Sequence, residues 1–412
     1  MLKKTIFLLF LLHFLNGNSQ VIEVCESCGI KTIKAAVEQA KNGDTIVVKS
    51  GTYKEHNITV INKSINIIGE DNPVVDGELQ GSIFNIHANN FSIEGLNIIN
   101  VGSSYIEEFA AILVSNSKDF EIKNNRLENA YYGILIEKSS EGKISNNIIS
   151  SHAEEEANSG NGIHLWHSEN MTISNNQITK MRDGIYFEFV NNSTVSKNIC
   201  RNNIRYGLHF MFSNNDEYLD NIFDNNGAGV AVMFSKYIKM YRNLFKKNWG
   251  TASYGLLLKE ITDAELKNNI FEDNTIGINA DGTTRMEYIE NDFLNNGYAI
   301  KVLGACYNNT FSNNNFLYNS FDLAYSGHIN ENKFDGNYWS SYTGYDLDKD
   351  GIGDVPHRPV KLFSYLVNRT PGAIILLRSM FIDIIDFSEK VSPIFTPAEL
   401  VDEHPQMKKI IW

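Results

Sequence analysis

Cysteine is scarce in this chain, with four residues among 412, so stability has to come from a buried core. A hydrophobic content of 42% is enough to supply one. Basic charge is scarce as well. The net charge is −13, and no basic stripe exists to neutralise phosphates, which argues against a nucleic-acid partner. Long apolar runs are also missing. Thr5 to Leu15 and Ala373 to Ile385 are both too short to span a bilayer.

The first of these runs follows Met1-Leu-Lys-Lys, and together they have the lengths of a secretory signal. Gly17 and Ser19 are the small residues at −3 and −1 if cleavage precedes Gln20, so residues 1–19 read as a leader. A membrane anchor is the weaker reading of the same run. Export to a periplasm follows. Cys200 and Cys306 fall in separate repeats and read as buried thiols. Cys25-Glu-Ser-Cys28, at the mature N-terminus, stays open between a disulfide loop, a thiolate metal pair and a redox pair.

What the sequence has in abundance is a repeat. Strands open at Gly133, Gly162, Gly184, Gly207, Gly229, Gly255 and Gly277, with Ala111 before them and Ala299 after. The spacing is near 22, with insertions in two copies only. Three short apolar segments per copy, with Asn-rich corners, read as one coil of a parallel β-solenoid. The fold class is therefore all-β, a single-stranded right-handed parallel β-helix. Asn tolerates left-handed corners and stacks into ladders along the axis. About ten coils at the strand spacing of ~4.8 Å would make a rod of roughly 50 Å.

The organisation follows from where that repeat starts and stops. Thr32 to Lys41 reads as an amphipathic helix capping the open N-terminal end. Irregular coils are expected to about residue 108, and the β-helix domain spans 20–338. One repeat gains His152 to Asn158, an acidic bulge that is either a solvated turn or a lid beside His164. Residues 339–358 form an acidic segment. In it Asp346, Asp348, Asp350 and Asp354 resemble the start of a calcium loop, with a plain acidic end loop as the alternative. Residues 359–412 are a tail whose apolar helix either covers the open end or anchors on a membrane partner.

Stacking turns the outward positions of the glycine-led strands into two columns. One reads Leu135, His164, Tyr186, His209, Ala231, Leu257, Asn279; the other Glu137, Trp166, Glu188, Met211, Met233, Lys259, Asp281. Four successive coils thus carry His, Trp, Tyr, Glu and Met on one face, as an interaction site would. Packing beneath the acidic loop or the tail is the bland alternative. Glu188 is the only acid in these columns among the aromatics, with no Arg or Lys beside it, which speaks against a glycosidase. His209, Met211 and Met233 instead form a soft-ligand triangle suited to Cu(I).

Arg205-Tyr-Gly-Leu-His-Phe-Met-Phe-Ser213 and Gly227-Ala-Gly-Val-Ala-Val-Met-Phe-Ser235 carry a resemblance to a known family. Asn337-Tyr-Trp339, Thr370 to Arg378 and Leu400-Val-Asp402 extend it. The chain resembles the NosD family, pectin-lyase-like β-helices of the periplasm that assist nitrous oxide reductase maturation. That resemblance implies no enzymatic activity and transient Cu(I). The partners it implies are an ABC-transporter permease and ATPase, a copper-donor lipoprotein and the reductase. In the tail, Ile374, Leu377, Arg378 and Phe381 become the expected permease contact. A polysaccharide lyase, hydrolase or epimerase on the same fold is the alternative.

Overall fold

The computed structural model describes residues 19–412 apart from 105, 327–328, 361–362, 364–365, 368–369, 377–378 and 392–399. The expected leader falls almost wholly outside these residues. Three parallel sheets of 14, 12 and 13 strands run the length of the molecule, each built from one strand per coil. The glycine-led strands form the 12-stranded sheet, in strict register: Ile163 pairs with Ile185, Ile185 with Leu208, and Leu208 with Val230. Inward residues such as Ile185, Phe187, Phe210 and Phe223 are fully buried and stack into one continuous core.

The glycine slot has a steric cause. A Cβ on Gly184 would lie 2.4 Å from the carbonyl oxygen of Gly207, and one on Gly207 would lie 2.8 Å from that of Gly229. Neighbouring coils approach too closely there for a side chain. The Asn corners build a ladder of ten residues from Asn125 to Asn337. Each side-chain amide donates to the next carboxamide oxygen, as in Asn176 to Asn198 (3.0 Å) and Asn314 to Asn337 (2.9 Å). These side chains are buried, and the ladder satisfies amides that would otherwise be costly to bury.

The coils before residue 108 are not irregular. Ile46 pairs with Ile67 and Ile67 with Ile93 in the same ladders, so the rod holds twelve to fourteen coils rather than ten. They lack the glycine mark, because the strands at Ile58–Ile61 and Phe84–His87 begin without it. The N-terminal cap is the helix Ile33–Gln39, with Thr32 accepting from Ala35 N at 3.2 Å. Glu55 accepts from Ile33 N and Lys34 N at 2.7 and 2.9 Å, which satisfies donors a helix start leaves free.

The C-terminal end is closed by the last thirteen residues and not by a helix. Asp402 ends the Asn ladder, accepting from Asn337 Nδ2 (3.0 Å), Asn337 N (3.0 Å), Gly336 N (3.0 Å) and Trp339 Nε1 (2.9 Å). Gln406 bridges to Tyr338 and Ile352, so this strap also grips the acidic segment. The tail helix is shorter and later than the sequence suggests. A 3-10 turn covers Pro371–Leu376 and an α-helix Met380–Val391. Phe363, Val367 and Ile382 pack on Tyr298, Phe321 and Ala324 at the side of the rod. The other side of this tail, including Ile374, Ile375, Phe381, Ile384 and Phe387, is exposed. No helix among the described residues is long and apolar enough to cross a membrane.

Candidate functional site

The insertions before Ala110, Gly162 and Gly255 all fall at one corner, the one that leads into the glycine-led strands. Residues just before each glycine fold back from that corner over the first outward column. That column is consequently covered at Leu135, His164, His209 and Ala231 and only partly exposed at Tyr186, Leu257 and Asn279, which corrects the expectation of an exposed face. His164 is 7% exposed and His209 6%, while Leu135 and Ala231 are fully covered. Tyr132, His164, Tyr186 and His209 stack in order, with ring centroids 5.7, 4.6 and 4.9 Å apart. Tyr206 lies 4.9 Å from the His209 ring, and its hydroxyl meets that of Tyr254 at 3.4 Å.

The cover brings charge that a reading of the strand columns missed. Asp183 is fully buried and held in a two-pronged grip by Arg205, from Nε to Oδ1 at 2.9 Å and from Nη2 to Oδ2. Its Oδ2 lies 3.5 Å from His209 Nδ1. Burial alone would raise the Asp183 pKa, and the bonds from His209 and Arg205 outweigh that and hold it below the usual carboxylate range. Arg182 donates from Nε to Asn161 Oδ1 at 3.3 Å, and Asn161 Nδ2 lies 3.5 Å from His164 Nδ1. Burial, with Arg182 adding to it, pushes His164 down to about 4, so this imidazole is neutral. Burial likewise pushes the Tyr186 phenol up to about 12. Gly160 and Asn161, which follow the acidic bulge, join this cover, while the short turn Glu156–Asn158 of the bulge itself is exposed.

The second column stays half-open. Trp166, Glu188, Met211 and Met233 are partly exposed, and Met211 pairs in register with Met233. Two thioethers on adjacent strands, with backbones about 4.8 Å apart, offer a soft pair. His209 does not join them at the surface, since its ring sits in the covered column. Lys138 lies 5.2 Å over the Trp166 ring, so a cation does accompany the aromatics.

One residue further along each strand, sequence reasoning missed a ladder of rings. His167, Phe189, Phe212 and Phe234 stack at 4.6, 5.1 and 5.1 Å, nearly parallel. All four have left-handed backbone, φ 48, 54, 51 and 54°, at a corner held elsewhere by Asn116, Lys138, Glu260 and Gly282. Bulky side chains are disfavoured in that conformation. The signal available was that an aromatic follows each methionine in the quoted motifs, where the corner pattern calls for Asn or Gly.

The remaining expected residues are dispersed. Cys25 and Cys28 are joined as a disulfide, far along the rod from the histidines. Cys200 and Cys306 are buried and free. Asp346, Asp348 and Asp350 bring carboxylate oxygens within 4.8 Å of one another, whereas Asp354 is turned to Leu347 N at 2.7 Å. Gly351 N and Ile352 N are bonded by Asp346 and Asp350, so the loop's shape is accounted for by its own backbone bonds. Ile374 and Phe381 are exposed on the tail, and Leu377 and Arg378 lie outside the described residues.

The fold defines the class, a parallel β-helix that arrays one strand per coil along each of three sheets. The architecture is shared with alginate lyase AlyF-OU02, at TM-score 0.58 and 13% identity over 74% of this chain and 81% of that one. It is shared also with the A-module of the Azotobacter vinelandii mannuronan C-5 epimerase AlgE6, at TM-score 0.56 and 12% identity over 74% and 96%. Sequence is more specific. Residues 150–344 match the family model described as periplasmic copper-binding protein (NosD). A Pseudomonas aeruginosa protein named probable ABC transporter binding protein NosD is 27% identical, covering 85% of each chain. One of the same name from Stutzerimonas stutzeri is 26% identical, covering 82% of this chain and 81% of that one. The chain is thus similar to NosD proteins over most of its length, and its central repeats match their family model.

Proposed function

We propose that this chain is a periplasmic copper-handling protein that works with an ABC transporter in building the copper centres of nitrous oxide reductase. The observation that carries the reading is the in-register pair Met211 and Met233, half-open on the sheet and inside the stretch matched by the copper-binding family model. Thioethers suit Cu(I) and little else among common biological ions. The chain binds and passes its cargo without turnover, a reading supported by Glu188 being the only acid of the half-open column among its aromatic and methionine residues, where a sugar-cleaving site needs a pair of carboxylates. A copper-donor lipoprotein loads it, and the reductase unloads it.

The tail supplies the transporter contact. Its apolar side faces solvent at Ile374, Ile375, Phe381, Ile384 and Phe387, as an interface with a membrane permease and its ATPase would require. Replacing residues 360–399 by a short linker keeps Asp402 on the ladder, and the resulting β-helix should fold yet lose co-purification with the permease. The decisive test is a Cu(I) titration of the mature chain against a competing chelator. Met211→Leu with Met233→Leu should lower affinity and give copper-deficient reductase in cells. Unchanged affinity and full reductase copper would end this reading.

A further inference from the structure

The pair Cys25 and Cys28 has no part in the function proposed above. It closes a turn of four residues at the N-terminal end of the rod, with both side chains partly exposed. So short a loop constrains the unfolded chain little, since loop-closure entropy grows with the number of residues enclosed. The turn is also held without the sulfurs. Cys28 N donates to Cys25 O and Cys25 N to Ile30 O, both at 3.2 Å. Just before it, Val24 O accepts from Lys49 N and from the Tyr53 hydroxyl, each at 3.0 Å. Glu26, Ser27 and Gly29 are exposed, and a Cβ on Gly29 would meet nothing within 4 Å. An accessible bond that adds little to the fold is suited to exchange rather than to stability. Its two sulfurs are not equivalent. Ser27 Oγ lies 3.3 Å from Cys25 Sγ, and a disulfide sulfur carries no hydrogen, so the hydroxyl donates. The same bond favours a thiolate on Cys25 once the disulfide opens, because a donor stabilises the charged form. Cys200 and Cys306 offer nothing comparable. Both are fully buried, and burial pushes the Cys200 thiol well above its usual range.

We propose that Cys25 and Cys28 are a redox-gated Cu(I) site, closed as the disulfide and opened by a dithiol. A thiolate of the reductant attacks Cys28 Sγ, and Cys25 leaves as the thiolate that Ser27 stabilises. The reductant's second thiolate then displaces Cys28 and closes the reductant's own disulfide, so two electrons pass to the cysteine pair. Cu(I) binds the two sulfurs with loss of any protons they hold. Two thiolates suit a soft monovalent ion, whereas structural Zn2+ wants four ligands. Among the described residues, three or more His, Cys, Asp or Glu ligand atoms come within reach of one ion only in the aspartate loop. The site also stands apart from the methionine pair. Strand Val21–Val24, which leads into the turn, lies eight steps along the 14-stranded sheet from Glu217–Leu219, in the coil of Met211. At about 4.8 Å per step the separation is roughly 40 Å, too far to share an ion. The inference therefore does not rest on the half-open face.

The test compares the mature full-length chain in two redox states, before any variant has to fold. Excess dithiothreitol without denaturant should open the pair, giving two alkylatable thiols while Cys200 and Cys306 stay protected. The dithiothreitol is then removed under argon, and Cu(I) alone is titrated against a chelator. The reduced chain should take up one more equivalent than the oxidised chain. That equivalent should be missing from Cys25→Ser and from Cys28→Ser, and kept in the Met211/Met233 double variant. Ser27→Ala should open about 3–10-fold more slowly, having lost the donor to the leaving sulfur. A disulfide that resists dithiothreitol until the chain unfolds overturns the proposal, as does equal Cu(I) uptake in the two states. An extra equivalent that survives in both serine variants places the ion elsewhere and overturns it too. Each of these failures leaves the methionine pair untouched, since its own double variant decides the reading above.

Discussion

Two columns of the same strands, two residues apart, have been built for opposite environments. His164 and His209 are roofed by residues from the corners, with an Arg–Asp pair at their side. Trp166, Met211 and Met233 stay half-open beside a stacked ladder of strained aromatics. The strands themselves cannot make this difference, because alternate outward positions are geometrically equivalent. What differs is the corner each column adjoins. One corner carries the insertions and the pre-glycine Arg, Asp and Tyr; the other carries single residues in left-handed conformation. A solenoid therefore programmes its faces at its turns.

The covered column should be the fragile one. Arg205→Ala leaves the buried Asp183 carboxylate without its partner and should destabilise the fold by about 3–5 kcal/mol. Denaturant melts would show it, and the double variant with Asp183→Ala should regain most of the loss. A single variant as stable as wild type would mean the cover is not electrostatically tight.

Acid should expose the same contrast more gently. His164 has its pKa pushed down to about 4 in the folded chain by burial, against about 6.5 when unfolded. Between these values the unfolded chain binds a proton that the native one refuses. The contribution is thus complete above pH 6.5 and is lost as pH falls toward 4, by about 3 kcal/mol. Subtracting the stability curve of His164→Gln from that of the wild type should isolate this slope. A flat difference would place His164 in water.

How much of this was readable beforehand depends on where the information lies in the chain. The repeat was legible because the close approach of Gly184 to the carbonyl of Gly207 leaves a local mark in every coil. The Asn ladder was legible for the same reason. Coils before residue 108 lacked the glycine mark and looked irregular though they pair normally. The cover was not legible from the columns. Arg205 and Asp183 are corner residues of different coils, and their meeting depends on coil-to-coil register at a corner. The strap was hidden by distance, since Asp402 finds Asn337 65 residues away.

The open side should respond weakly and in an unusual order. At position 212 the ring stacks on both Phe189 and Phe234, worth about 0.5–1.5 kcal/mol per pair, while its left-handed backbone costs about 1–2 kcal/mol. Phe212→Gly loses the stacks and sheds the strain, so its melting should lie within ~1 kcal/mol of wild type. Phe212→Ala loses the stacks and keeps strain. Glycine should therefore be the better tolerated of the two, the reverse of the ordinary order at extended positions. Alanine tolerated better than glycine would mean the left-handed corner carries no strain.

The methionine pair should be the least sensitive to folding of all. Met211→Leu with Met233→Leu conserves volume and apolarity on a half-open surface, so the loss should stay under about 1.5 kcal/mol. That silence is what gives the substitution its value. A ligand role predicts a normal melt with weakened Cu(I) binding, because only the two sulfurs have gone. A packing role predicts a normal melt with normal binding. A variant that unfolds instead would show that the half-open column belongs to the core after all, and the contrast between the two columns would collapse.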